Sequence, residues 1–211
     1  MRYYIADCHF YHRNLITRMD KRNFKDVEEM NEYMIQKWNE KVRKNDEVVI
    51  LGDFSFGSVE ETIDVLKRLN GTKYLIIGNH DTKYLNSKDF DQSLFKWVRP
   101  YEELNDNNRF VILSHYPILF YNKQYRKKED GNDRTYHLCG HVHNSHDDKL
   151  LNEFILKERN TLVVEKSGEC RTLPCNIINC FCMYSDYTPL TLDEWIEITE
   201  KRLEEFEKNE N

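Results

Sequence analysis

Five times in its first two thirds, this chain runs a short apolar stretch into a cluster of aspartate, histidine or asparagine, and that repetition constrains the fold more than any other feature. The clearest instance is Tyr74-Leu75-Ile76-Ile77 leading into Gly78-Asn79-His80-Asp81. It reads as a buried strand ending in a glycine turn that presents an amide, an imidazole and a carboxylate side by side. Taken alone, such a turn is equally an ordinary polar loop. The other four instances are Arg2 to Ala6 before Asp7-Cys8-His9, Glu47 to Leu51 before Gly52-Asp53, Arg109 to Leu113 before Ser114-His115, and Thr135 to Cys139 before Gly140-His141-Val142-His143. Open α/β sheets gather ligands beyond the carboxyl ends of their strands, so the repetition predicts an α/β fold with one polar site along a shared edge.

Helical periodicity fills the intervals. Asp26 with Glu29 predicts an N-terminal cap, after which Val27, Met30, Met34, Trp38 and Val42 recur on one face. Ser58 and Glu61 form a second capping box before Val59, Ile63, Leu66 and Leu69, and Gly71 ends that helix. Leu150, Leu151, Phe154 and Ile155 predict a short amphipathic helix, and Thr191 with Glu194 caps a last one from Leu192 to about Lys208. Thr161 to Glu165 and Asn176 to Met183 read as late strands completing the sheets. With no linker or repeat, 211 residues predict a single domain spanning 1–211.

A formal charge of −6 argues against holding nucleic acid by bulk field. No apolar run approaches the roughly 20 residues needed to cross a bilayer, and Met1 to Ala6 runs into Asp7 without a signal-peptide core, so a cytoplasmic, non-membrane protein is expected. The six cysteines contain no Cys-x-x-Cys pair, which favours reduced thiols over a zinc knuckle at Cys170 to Cys182.

Along an extended chain Asp7 and His9 point to one side and Cys8 to the other, which is metal-ligand spacing; the pair serves equally well as surface polar residues closing a strand. His12 and Arg13 follow near the same mouth, where they could meet an anionic substrate or remain loop charges. Asn122 to Arg134 carries Lys123, Arg126, Lys127, Lys128 and Arg134 between tyrosines. Residue by residue it reads as a solvated loop; as a group it is a candidate substrate lid, or the grip of a nuclease.

Together, Asp7-x-His9, Gly52-Asp53, Gly78-Asn79-His80-Asp81, His115 and Gly140-His141-x-His143 resemble the calcineurin-like metallophosphoesterase superfamily. The resemblance implies a four-layer α/β/β/α sandwich of two mixed sheets with a dinuclear metal site at the carboxyl ends of strands. It implies that Asp7, His9 and His143 hold one ion, that Asn79, His115 and His141 hold the other, and that Asp53 bridges them. The ligand set suits Mn²⁺, Fe or Zn²⁺ without choosing among them, and the resemblance implies Mn²⁺ in vitro. A bridging hydroxide would attack phosphorus in line, and His80 would assist the leaving group. Asp81 is read as a turn cap, and His137 and His146 fall outside the core set. The protein Ser/Thr phosphatases of the superfamily carry a further aspartate and an arginine soon after Gly-Asp. Here the chain runs Gly52-Asp53-Phe54-Ser55-Phe56-Gly57, which points toward the smaller prokaryote- and phage-type phosphodiesterases. A phosphoester hydrolase is therefore expected; the rival is a non-catalytic scaffold, whose usual mark is a lost ligand, and none is lost here.

Overall fold

A computed structural model describes residues 1–210. One sheet holds β1 (Arg2–Ile5), β2 (Glu47–Ile50), β3 (Thr72–Ile76) and β4 (Val98–Arg99), all parallel, in the order β1-β2-β3-β4. The other holds β5 (Tyr101–Asp106), β6 (Arg109–Ser114), β7 (Thr135–Cys139) and β10 (Ile177–Asn179) in the order β10-β7-β6-β5, with only β5 antiparallel. Helices α1 (Asn14–Thr17), α2 (Val27–Lys41), α3 (Val59–Arg68) and α4 (Thr82–Leu85) accompany the first sheet in sequence, α5 (His146–Asn160) lies between β7 and β10, and α6 (Leu192–Glu210) follows β10.

Strand alternation sorts the core into three clusters. Tyr3, Ile5, Val48, Ile50 and Leu75 turn to one side and pack with Met30, Met34 and Trp38 of α2 and with Val65 and Leu66 of α3. Their neighbours Tyr4, Val49, Leu51 and Ile76 turn the other way, onto Val111, Leu113, Leu138 and Ile178 of the second sheet. On that sheet's opposite face, Ile112, Cys139 and Ile177 meet Leu151 and Ile155 of α5 and Leu203 of α6. A one-residue slip of any central strand would exchange these faces, so the register is strongly held. Leu113 is wholly buried, and its truncation to alanine should cost about 2–5 kcal/mol.

The caps form as expected: Asp26 accepts from the Glu29 amide, and Ser58 with Glu61 makes a full capping box. Thr191 and Glu194 exchange the corresponding bonds before α6. Three expectations change. The helix at 150–155 extends over His146–Asn160, because Ser145 caps it one turn earlier. The strand at 176–183 is only Ile177–Asn179; Cys182–Ser185 is a 3₁₀ turn, and Phe181 makes a single bridge to Ala6. The 161–165 strand, β8 (Leu162–Val164), joins neither main sheet and pairs with β9 (Cys170–Thr172) in a separate ribbon. The sequence reading also missed β5, whose charged residues conceal it, although Asn107 and Asn108, both at positive φ, make the tight hairpin to β6.

No described helix is long and apolar enough to cross a membrane. The six cysteines are free, all but Cys170 being buried. Cys8 packs in the cluster beneath α2, on the side expected of it.

Candidate metal centre

The polar groups after β1, β2, β3, β6 and β7 converge at one edge of the paired sheets. Their loops do not take relaxed backbone conformations. Asp7, His9, Asp53, His141 and His143 have φ of 55°, 51°, 52°, 71° and 47°, a region that costs non-glycine residues on the order of 1–3 kcal/mol each. Such strain persists only where surrounding bonds over-determine it, and they do. The Asp7 amide donates to the Gly52 carbonyl at 3.1 Å and the His9 amide to the Asp53 carbonyl at 2.9 Å, stitching the first loop to the second. The guanidinium of Arg22, only 1% exposed, donates to the carbonyls of Asp7 and Cys8 at 2.9 and 2.7 Å. Asn179 donates to the His143 carbonyl at 2.7 Å.

Two glycines allow the loops to touch. A Cβ on Gly78 would stand 2.3 Å from the Asp53 amide and carboxylate, and one on Gly140 would stand 2.6 Å from the Asp7 carboxylate. Asp81 closes its own turn, as read from the sequence, by accepting from the Gly78 amide at 2.8 Å, and it does more. Fully buried, it also accepts from the amides of Asp53 and Phe54 and from the Tyr84 hydroxyl, binding the second loop to the third. Its side chain makes no capping bond to α4.

Two groups of donor atoms result: Asp7, His9 and His143, and Asp53, His115 and His141. Asn79 joins the second, its Oδ1 lying 3.1 Å from His115 Nε2 and 3.0 Å from His141 Nδ1. In the first, the Nε2 atoms of His9 and His143 face each other at 3.2 Å, and His143 Nε2 is 3.6 Å from Asp7 Oδ1. Asp53 Oδ2 lies between the groups, 3.5 Å from the Nε2 atoms of both His9 and His115. Ligands about 2.1 Å from an ion are separated by about 3.0–3.4 Å along tetrahedral or octahedral edges, so these spacings suit divalent cations.

The backing of the imidazoles agrees. His115 Nδ1 donates to the Leu51 carbonyl at 2.8 Å and His143 Nδ1 to Asp20 Oδ1 at 2.8 Å, which turns each Nε2 lone pair toward the centre. Burial disfavours an ionised Asp53, yet its bonds to His115 and the His80 amide, with the nearby imidazoles, hold its carboxyl well below the usual range. Burial pushes Asp7 up to about 6 against the pull of His143 and His115. Burial also opposes charge on His115, but Asp53 and Asp7 draw its pKa up to about 9. The same carboxylates that draw a proton to His115 favour a cation at the centre.

His80 stands beside the groups without joining them, its Nε2 3.9 Å from Asp53 Oδ2 and its ring partly open to solvent. His12 is buried and stacks on Phe56, whereas Arg13 is exposed and pairs with Glu28 at 3.2 Å. The structure does not bring Lys123 or Arg126 to the site. β6 and β7 are parallel, so their connection must travel back along the sheet; Lys123 ends over the Phe110 ring, 3.6 Å from its centroid, at the start of β6 and far from His115. Arg126 lies in the same return, its backbone paired with Lys123 and Arg134. His137 is a satisfied core residue between the Ile112 carbonyl and the Ile118 amide, and His146 is exposed at the start of α5.

The sequence reading missed Asp20 and Arg22, which sit in the charged run Arg18-Met19-Asp20-Lys21-Arg22 and look solvated there. Phe56 and Tyr116 were missed as neighbours of the site; Tyr116 packs against His115 and His141 with ring centroids 5.1 and 4.4 Å away.

Comparison with known proteins agrees with this arrangement. The chain is 30% identical over 201 residues to the uncharacterized protein MJ1445 of Methanocaldococcus jannaschii, covering 94% of this chain and 91% of that one. It is 29% identical over 164 residues to the gene 66 protein of Mycobacterium phage L5, covering 67% and 76%. Among solved structures, the protein of unknown function AQ665 from Aquifex aeolicus shares the fold, with a TM-score of 0.59 and 22% identity over 92% of this chain and 96% of that one. The profile of the calcineurin-like phosphoesterases matches residues 3–166, and this chain belongs to that family.

Proposed function

We propose that the protein is a dinuclear metal-dependent phosphodiesterase, a single domain layered α/β/β/α, in which Asp7, His9 and His143 hold one ion, Asn79, His115 and His141 the other, and Asp53 both. The observation that carries this reading is the placement of Asp53 Oδ2 at 3.5 Å from an imidazole nitrogen of each group. Two divalent ions, when bound, supply a hydroxide nucleophile at neutral pH and neutralise the phosphoryl oxygens. The chain's own residues do the rest. Asp53 keeps its charge at neutral pH, so it offsets the repulsion of two cations without first losing a proton. His80, held by its amide to Asp53 Oδ1 at 2.9 Å, presents a partly exposed imidazole to the leaving oxygen and donates a proton there. Its pocket, about 360 Å³ and lined also by Asp53, Asn79 and His143, is roomy enough for a phosphodiester.

The phosphodiester lean, Mn²⁺ as a working metal and a cytoplasmic setting belong to the same proposal; free cysteines accord with the last. A nuclease gripping its substrate through residues 122–134 loses its main support, since Lys123 packs at the other end of β6. A scaffold reading has no lost donor to recommend it.

The test is hydrolysis of bis-p-nitrophenyl phosphate and p-nitrophenyl phosphate with added Mn²⁺. Diester turnover is expected, falling by about 10²–10³-fold in Asp53→Asn, as when charge stabilisation of the transition state is removed. Turnover of the monoester alone would defeat the diesterase assignment, and turnover of neither ester with any divalent metal would defeat the enzyme.

A further inference from the structure

Next to His80, beyond the residues that line its pocket, stands an aromatic pair with no part in holding a metal. Phe56 stacks flat on His12, with centroids 4.0 Å apart and planes 8° from parallel. His12 is 8% exposed and its Nδ1 is buried without a partner, so this imidazole is enclosed as the underlayer. Phe56 remains 37% exposed although one face is covered, and over the ring stands only the long, exposed side chain of Lys83, which an incoming ring would displace. The His80 ring lies 4.9 Å from Phe56 and the His9 ring 6.4 Å away. Lys83 places its ammonium 5.8 Å from the Phe56 centroid.

Phe56 is also fixed in place. Its amide donates to the Phe10 carbonyl at 2.8 Å, beside the Phe10–Ser55 bridge, so its backbone cannot retreat into the core or swing away. A ring held at this position has already lost its conformational freedom before a ligand arrives, and flat partners then gain most from contact with it. A second ring laid on Phe56 would remove its remaining exposure.

We propose that Phe56, backed by His12, is the specificity-determining residue of the site: a shelf for the planar ring of the leaving alcohol, which makes aryl- or nucleoside-type phosphodiesters better substrates than diesters of simple alkyl alcohols. The proposal rests on the reading that His80 serves the leaving oxygen, because Phe56 adjoins that histidine. Lys83 accounts for tolerance of an anionic substituent on the same ring.

The experiment separates the shelf from the hydrolysis. Binding of phenylphosphonate and of methylphosphonate to the Mn²⁺-loaded full-length protein is measured by calorimetry, so no turnover is needed. The wild type should bind the phenyl compound about 10-fold more tightly, in the range that ring stacking supplies. Phe56→Leu should reduce that ratio to within about twofold while methylphosphonate binds as before, and Phe56→Trp should preserve it. Tyr116→Leu, on the opposite flank, should leave it unchanged. No phenyl preference in the wild type, an unaltered preference in Phe56→Leu, or a loss in Tyr116→Leu instead would each overturn the shelf. If the preference behaves as expected while bis-p-nitrophenyl phosphate is not hydrolysed, Phe56 stands as a binding shelf for planar rings, and its leaving-group role falls with the hydrolytic reading.

Discussion

The two halves of the centre are built differently. Asp7, His9 and His143 are 0%, 2% and 9% exposed, and behind them lies a buried ion pair in which Arg22 meets Asp20 at 3.0 Å and Asp20 accepts from His143. In the other half His115 is buried but Asn79 is exposed and His141 half-buried, and the backing is a single backbone carbonyl, that of Leu51. One half is therefore set by charge and depth before any ion arrives, and the other keeps an open face. The buried half should hold its ion more tightly, while the open half exchanges ligands with solvent and substrate.

The most severe way to break that contrast is to remove Arg22. Its guanidinium pins two carbonyls of the strained loop and neutralises Asp20, so Arg22→Leu leaves a buried carboxylate without its cation, held by His143 alone, and frees the Asp7 and Cys8 carbonyls. A loss of about 3–5 kcal/mol in urea unfolding of the metal-free protein is expected. A loss below about 1 kcal/mol, the worth of an exposed pair, would mean that the brace is not one.

Asp20→Asn is the gentler version and separates the halves by affinity. The amide still accepts from His143 Nδ1 but lacks the charge that strengthens it as a ligand. Mn²⁺ titration of the chelator-treated protein should show two unequal steps, the tighter weakened about 10–100-fold in the variant and the looser unmoved. Equal loss in both steps would show that the centre responds as one unit.

The same contrast marks what could be read from the sequence. Strand ends were legible because an apolar run followed by glycine or a polar turn is a local signal, and five in series give a shared edge. All seven proposed ligands fall there. The brace was illegible because Asp20 and Arg22 are made buried by contacts with the loops after β1 and β7 and with the 181–187 segment, which no local sequence pattern reveals. The candidate lid at 122–134 lies away from the site for a topological reason: a parallel connection carries the chain the length of the sheet. Only its first residues, such as Tyr116, remain near the site.

The smallest effect comes from a histidine that belongs to neither half. His137 lies on β7 four residues before His141, yet its ring is fully buried and both nitrogens are used, so burial lowers its pKa to about 4. The unfolded chain takes up this proton near pH 6.5 and the folded protein only near 4. Between those values the unfolded state binds more protons, and stability falls as the pH falls. The loss should reach about 1.4 kcal/mol by pH 5.5. Glutamine can accept from the Ile118 amide and donate to the Ile112 carbonyl without titrating. In urea unfolding of metal-free protein at pH 7.5 and 5.5, His137→Gln should therefore lose about 1 kcal/mol less stability on acidification than the wild type. An equal loss in both would place the acid sensitivity among the site imidazoles and leave the core histidine without a part in it.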